Sequence, residues 1–201
     1  MVYSSRFETA LAFAARLHGD QLRKVSGVPY ISHLLAVTAI AIEHGATEDE
    51  AIAALLHDAV EDQGGKPTEQ VIRRMFGDGV GDIVRDCSDT DIIPKPPWQE
   101  RKEQYIAHLR HASSSVRLVS AADKLHNARS ILADYRRVGE QLWSNFKGGR
   151  AGTIWYYRSL SDIFMDLGPK ELASELDSVV RELERVTSAD AVDPSGHRPP
   201  A

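Results

Sequence analysis

The chain has 201 residues, 42% hydrophobic and 26% charged, which suits one well-buried domain and is too short to suggest two. No apolar run approaches the roughly 20 residues of a membrane span, and Met1-Val2-Tyr3-Ser4-Ser5-Arg6 lacks a signal-peptide core. A lone cysteine, Cys87, excludes an internal disulfide, so the expected compartment is the cytoplasm. The net charge of −5 hides an asymmetry: residues 43–91 carry thirteen Asp/Glu against four Lys/Arg, while residues 98–158 carry eleven Lys/Arg against five Asp/Glu. A stretch suited to a cation thus precedes one suited to a phosphorylated ligand, although solvated helix faces account for the same counts. The basic residues are dispersed and carry no recognised motif, so neither nucleic acid nor membrane is an expected partner.

Helical spacing runs through nearly the whole chain. Phe7, Leu11, Ala14, Ala15 and Leu17 define a first helix with Gly19 as its stop. Residues 20–31 form a polar connection with a turn at Ser26-Gly27-Val28-Pro29. A second helix is expected from Ser32, as N-cap, to Glu43-His44, and Thr47 with Glu50 forms a capping box for the helix that carries His57. Gly64-Gly65-Lys66-Pro67 ends that helix, Thr68 caps the next to Phe76-Gly77, and residues 78–87 make another short helix.

Three prolines make Asp91-Ile92-Ile93-Pro94-Lys95-Pro96-Pro97 a loop. Helical spacing resumes from Trp98 to about His111, is interrupted at Ser113-Ser114-Ser115, and continues from Val116 to Leu132. A turn at Lys147-Gly148-Gly149-Arg150 precedes an aromatic helix from Trp155 to Met165. Gly168-Pro169 opens a last helix through about Val186, and the Ser/Asp/Pro/Gly-rich tail from Ser188 is expected to be disordered. With no alternating strand pattern and no repeat, the expected fold is all-α, one compact multi-helix domain.

The run Ala53-Ala54-Leu55-Leu56-His57-Asp58-Ala59-Val60-Glu61-Asp62 begins as a buried helix and ends in an imidazole and three carboxylates. Buried unpaired charge costs several kcal/mol, so such groups are paired, neutralised or metal-bound, unless the helix simply surfaces at His57. Glu61-Asp62 lie one turn further along the same face. His33 opens one apolar helix and Asp123 sits in the middle of another, in Val119-Ser120-Ala121-Ala122-Asp123-Lys124-Leu125-His126-Asn127. With His57-Asp58 they offer two imidazoles and two carboxylates, a donor set appropriate to Mn²⁺, Fe²⁺ or Zn²⁺ with positions left for water and substrate. Adjacent helical ligands diverge by about 100°, so the cation must sit at the helix's edge.

This order of His, His-Asp and a distant Asp resembles the HD-domain metal-dependent phosphohydrolases. The segments Arg23-Lys24-Val25-Ser26-Gly27-Val28-Pro29-Tyr30-Ile31-Ser32-His33, Ala54-Leu55-Leu56-His57-Asp58-Ala59-Val60-Glu61-Asp62 and Ala122-Asp123-Lys124-Leu125-His126-Asn127-Ala128-Arg129 are more closely similar to the hydrolase domain of the Rel/Spo alarmone enzymes and to the stand-alone Mesh1-type hydrolases. The resemblance spans about residues 5–165 and implies an HD-type catalytic domain over residues 1–187, with residues 188–201 as the tail. It implies one Mn²⁺ held by His33, His57, Asp58 and Asp123, a catalytic pair Glu61-Asp62, and nucleotide contacts from Arg23, Lys24, Ser26, Asn127 and Ser130. One departure is visible: the family commonly has Ser directly after Arg-Lys, whereas Val25 here precedes Ser26. Ser130 stands where Thr is frequent and keeps the hydroxyl.

The implied reaction is hydrolysis of the 3′-pyrophosphate of ppGpp or pppGpp to GDP or GTP and pyrophosphate. Glu61 and Asp62 would orient and deprotonate the water or protonate the departing 3′-oxygen. Lys24, with Lys147 or Arg150, would offset pyrophosphate charge, Arg23 would stack on guanine, and Tyr156 would line the base or ribose pocket unless it is simply core. Removal of the 2′-phosphate of NADPH, another HD nucleotide phosphohydrolase activity and a silent nucleotide-binding module remain as alternatives. The expected partner is a small-molecule nucleotide, and a homo-oligomer is left open.

Overall fold

The computed structural model describes residues 3–90 and 94–190. In order the elements are α1 (Ser5–Leu17), α2 (Ile31–Glu43), α3 (Glu48–Leu56), α4 (Ala59–Asp62), α5 (Gly65–Phe76), α6 (Asp78–Cys87), α7 (Trp98–Leu109) and α8 (Ser114–Val138), then a 3₁₀ stretch (Gly139–Asn145), α9 (Gly149–Leu167) and α10 (Lys170–Asp190). Among the described residues no strand forms, only one isolated antiparallel bridge between Leu22 and Pro29, and no helix is long and apolar enough to cross a membrane.

Helix α3 sits at the centre because nothing polar follows its first turn: Ala51, Ile52, Ala53, Ala54, Leu55 and Leu56 are all fully buried. Its alanines let α1, α2, α6 and α8 approach closely, and burying each Leu or Ile contributes about 1.5–3 kcal/mol. The capping box forms as expected, Thr47 N–H donating to Glu50 Oε2 at 2.7 Å and Glu50 N–H to Thr47 Oγ1 at 3.3 Å. Three acids in that first turn, Glu48, Asp49 and Glu50, suit the positive end of the helix dipole. The second axis is α8, which buries Val116, Val119, Ala121, Ala122, Leu125 and Ala128 and packs on α2, α3, α6, α9 and α10. Ser113 does more than interrupt the preceding helix: its hydroxyl accepts from Val116 N–H and caps α8.

Several boundaries differ from the sequence expectation, each because contacts outweigh local signals. α2 begins at Ile31 behind an uncapped Tyr30, so Ser32 lies inside the first turn. Thr68 lies inside α5, its hydroxyl donating to Gln63 O at 2.6 Å, and Pro67 occupies the first turn, where a missing N–H costs nothing. α8 continues past Leu132 to Val138, and α9 takes in Arg150. α10 continues past Val186 to Asp190, so residues 188–190, expected to be tail, are helical; Thr187 is buried and holds that turn by donating to Leu183 O. Residues 191–201 of the expected tail, and Asp91-Ile92-Ile93 of the proline loop, lie outside the described residues.

The break that matters for function falls between α3 and α4. The α-helix stops at Leu56, His57 is its cap, and Asp58 (φ −93°, ψ −3°) precedes the four-residue α4. The helix expected to carry both residues therefore ends just before them. That turn brings two adjacent side chains, which a continuous helix would splay by about 100°, onto one point.

Candidate metal centre and pocket

His33, in the first turn of α2, is fully buried, and His57 and Asp123 are nearly so. His57 Nε2 lies 3.0 Å from Asp58 Oδ2 and 3.5 Å from Asp123 Oδ1; His33 Nε2 lies 3.5 Å and 3.2 Å from the same two oxygens. His33, His57 and Asp58 offer donor atoms all within 4.8 Å of one another, and Asp123 closes on both imidazoles from α8. Neither Nε2 makes a hydrogen bond, although both are buried.

The other ring nitrogens explain the aim. His57 Nδ1–H donates to Ala54 O at 2.8 Å, which turns Nε2 toward the carboxylates. His33 Nδ1 lies 2.7 Å from His126 Nδ1, so the two rings share one proton there. Such outer hydrogen bonds are what hold metal-ligating imidazoles in one tautomer.

The electrostatics ask for a cation. Burial opposes ionisation of Asp58 and Asp123, yet His57 and His33 hold Asp58 well below the usual carboxylate range, as Lys124 and His33 do Asp123. Burial also opposes charge on His57, but Asp58 and Asp123 outweigh it and hold its pKa well above the ordinary imidazole value. A proton on His57 thus offsets only one of two buried carboxylate charges, at a point ringed by N and O donors. Two bare imidazole nitrogens and two carboxylates fit a borderline divalent ion.

Donors from the α1–α2 connection and α8 hold this constellation in place. Tyr30 hydroxyl donates to Asp58 Oδ2 at 2.6 Å, and Lys124 Nζ to Asp123 Oδ2 at 2.6 Å. Asn127 Nδ2 donates to Asp123 Oδ1, while its own Oδ1 accepts from Arg23 at 2.8 Å. Glu61 accepts from Lys95 Nζ at 2.9 Å and Asp89 N–H at 3.2 Å. Asp62 accepts from Gln21 Nε2 at 2.8 Å; burial first, then neighbouring Asp58, push its pKa up.

Asp58 opens into a cavity of about 600 Å³, within the range that holds a nucleotide-sized ligand. Of the residues singled out in the sequence, Arg23, Lys24 and Ser26 line it from the connection, Glu61 and Asp62 from α4, Asn127 and Ser130 from α8, and Tyr156 from α9. Lys147 and Arg150 do not line it. Arg150 turns instead to Glu140 and the Thr187 carbonyl, both at 3.3 Å, and serves the α9–α10 contact. The Val25 departure is absorbed by a turn: Gly27 N–H donates to Arg23 O, Gly27 takes φ +69°, and Val25 packs partly against the core while lining the cavity with Lys24 and Ser26. Tyr156 is both core and wall, buried under Lys102, whose Nζ stands 4.8 Å above its ring.

Sequence reasoning missed Gln21, Tyr30, Trp98, Lys102, Lys124 and His126, all of which line the cavity. Tyr30, Lys124 and His126 lay inside the quoted motifs, beside candidate ligands, and that adjacency was the available signal. Lys102 had none: its place follows from α7 packing on α9, where it pairs with Asp89 at 2.9 Å.

The HD domain family matches this chain over residues 10–154. The chain is 40% identical over 175 residues to guanosine-3′,5′-bis(diphosphate) 3′-pyrophosphohydrolase MESH1 of Xenopus tropicalis, covering 79% of this chain and 93% of that protein. The MESH1 protein of Homo sapiens is 36% identical over 141 residues, covering 69% and 74%. A solved structure of a metazoan SpoT orthologue, described as hydrolysing ppGpp and acting in starvation responses, superposes with a TM-score of 0.74 at 27% identity, covering 90% of this chain and 97% of that one. By motif, fold and relatedness alike, the chain belongs to the HD-domain family.

Proposed function

We propose that this chain hydrolyses the 3′-pyrophosphate of ppGpp and pppGpp, releasing GDP or GTP and pyrophosphate and so lowering the alarmone of the stringent response. The observation that carries this is the pair of buried, unbonded imidazole nitrogens facing Asp58 and Asp123 beside a cavity with Arg23, Lys24, Lys102 and Lys124 on its walls. The substrate comes from the relatives, which carry that reaction in their names.

His33, His57, Asp58 and Asp123 would hold one divalent cation, which we assign as Mn²⁺. Bound there, the ion supplies Lewis-acid polarisation of a phosphoryl oxygen and of the attacking water. In the reaction a bond forms between the water oxygen and the phosphorus on the 3′-oxygen, the P–O3′ bond breaks, and the 3′-oxygen leaves as a hydroxyl. Asp62, with its raised pKa, is suited to deliver the proton to that oxygen, and Glu61, tied to Lys95 and the Asp89 amide, to orient the water. Lys24, Lys102 and Lys124 offset the pyrophosphate charge, Arg23 and Asn127, hydrogen-bonded to each other on the cavity wall, would contact the nucleoside, and Ser26, Ser130 and Tyr156 line more of the wall. Residues 1–187 form the catalytic domain in this reading, a nucleotide is the small-molecule partner, and the location is cytoplasmic.

The test is steady-state turnover of ppGpp, pppGpp and NADPH by the purified chain with Mn²⁺, Mg²⁺, Zn²⁺ or EDTA. The guanosine substrates should dominate in kcat/KM, with Mn²⁺ required. A tenfold preference for NADPH would reassign the cavity to its 2′-phosphate, and activity undiminished by EDTA would remove the metal.

A further inference from the structure

The connection between α1 and α2 does more than present Arg23 and Lys24. Gln21, on that connection, sends its amide Nε2 to Asp62 Oδ2 at 2.8 Å. A primary amide has two faces, and a rotated one would offer oxygen to a carboxylate, which repels it. Two donors prevent that rotation. His18 Nδ1 lies 2.7 Å from Gln21 Oε1, and because that oxygen only accepts, the imidazole must carry its proton on Nδ1. Gln63 Nε2 donates to the same oxygen, also at 2.7 Å.

His18 is in turn held from several sides. It is buried, caps α1, and stacks on Tyr30 with ring centroids 5.4 Å apart and planes 18° apart. Tyr30 is itself bonded to Asp58. Asp62 thus sits at the end of a directed chain that starts in the α1 terminus and is braced from both sides, whereas its own helix α4 is only four residues long.

We propose that Gln21, oriented by His18 and Gln63, is a positioning residue that fixes the Asp62 carboxylate for proton transfer. This rests on the role given to Asp62 above and adds Gln21 to it. Gln21 lines the cavity beside Arg23 but is spent on Asp62, so its contribution falls on the chemical step and not on substrate capture.

Two variants separate this from packing. Gln21→Met keeps length and volume but removes the donor, and kcat on the best substrate of the panel should fall about 10- to 100-fold, as for other orienting hydrogen bonds, with KM within about twofold. Gln21→Glu keeps the shape and puts a carboxylate against a carboxylate, so it should be worse than Met; a residue that only fills space would tolerate Glu as well as Met or better. Metal content and melting temperature are measured in parallel and should match wild type in Gln21→Met. A wild-type kcat in Gln21→Met, a loss confined to KM, or Gln21→Glu equal to wild type would overturn the proposal. A crystal structure of Gln21→Met supplies an arm independent of activity: Asp62 should leave its wild-type rotamer, and an unmoved carboxylate would also overturn it. Failure of the wild-type chain on guanosine substrates would overturn the substrate assignment instead, and leaves the structural arm standing.

Discussion

Two charged regions of this molecule behave in opposite ways. On the α9–α10 flank, Arg158 donates to Glu184 at 2.7 and 3.0 Å and to Asp177 at 2.6 Å, and Arg181 adds a second donor to Asp177 at 2.6 Å. Every group in that network faces a partner of opposite charge. Where α2, α3 and α8 meet, two imidazole nitrogens are buried beside two carboxylates and make no hydrogen bond. Saturated charge networks suit docking; bare buried nitrogens gathered beside carboxylates and a cavity suit a ligand. The contrast matters because both regions look alike in sequence, as clusters of charge on apolar helices.

If that contrast holds, substitutions in the two regions must separate activity from stability. The largest effect is expected for Asp58→Ala, which should lose the metal and reduce turnover to the metal-free background while far-ultraviolet circular dichroism stays helical; normal turnover in a metal-loaded preparation would break the site. Next come Glu61→Gln and Asp62→Asn, each lowering kcat about 10²- to 10⁴-fold with metal content unchanged, read by kinetics alongside metal analysis. Arg23→Lys keeps the charge but loses the planar fork that reaches Asn127, and kcat/KM should drop about tenfold, roughly 1.4 kcal/mol.

On the other side of the comparison, Arg158→Ala should leave kcat/KM intact and cost about 1 kcal/mol, a fall of roughly 2–4 °C in Tm. The smallest effect is acid sensitivity of that same flank. Burial opposes ionisation of Asp177, but Arg158 and Arg181 outweigh it and lower its pKa. A carboxyl whose folded pKa is depressed contributes stability above its unfolded value near 4 and loses it as pH falls through the folded value. Urea melts between pH 6 and pH 2 should therefore show a steeper loss in wild type than in Arg158→Ala; parallel curves would mean the pair contributes nothing.

Much of the architecture could be read along the chain. The capping box at Thr47-Glu50, the uniformly apolar Ala51 to Leu56 and the proline-bounded start at Trp98 are local signals, and each was realised. Local signals failed where distant packing prevailed. Ser188 to Asp190 have tail composition, yet buried Thr187 and the docking of α10 on α8 and α9 keep them helical. Arg150 has the chemistry of a phosphate contact, but its position on α9 sends it to Glu140 and Thr187. Lys102 has the same chemistry with no motif around it, and the pairing of α7 with α9 delivers it to the cavity.

Residue type and spacing along the chain were sufficient for an all-helical fold and for singling out His33, His57, Asp58 and Asp123 as a candidate donor set, because periodicity and charge on an apolar face are one-dimensional properties. Convergence is not. The stop of α3 at Leu56 that lets His57 and Asp58 share a point, the bare Nε2 atoms, and the amide of Gln21 turned toward Asp62 all depend on groups far apart in the chain. Their directions are set by how helices pack, and only the tertiary structure carries that information.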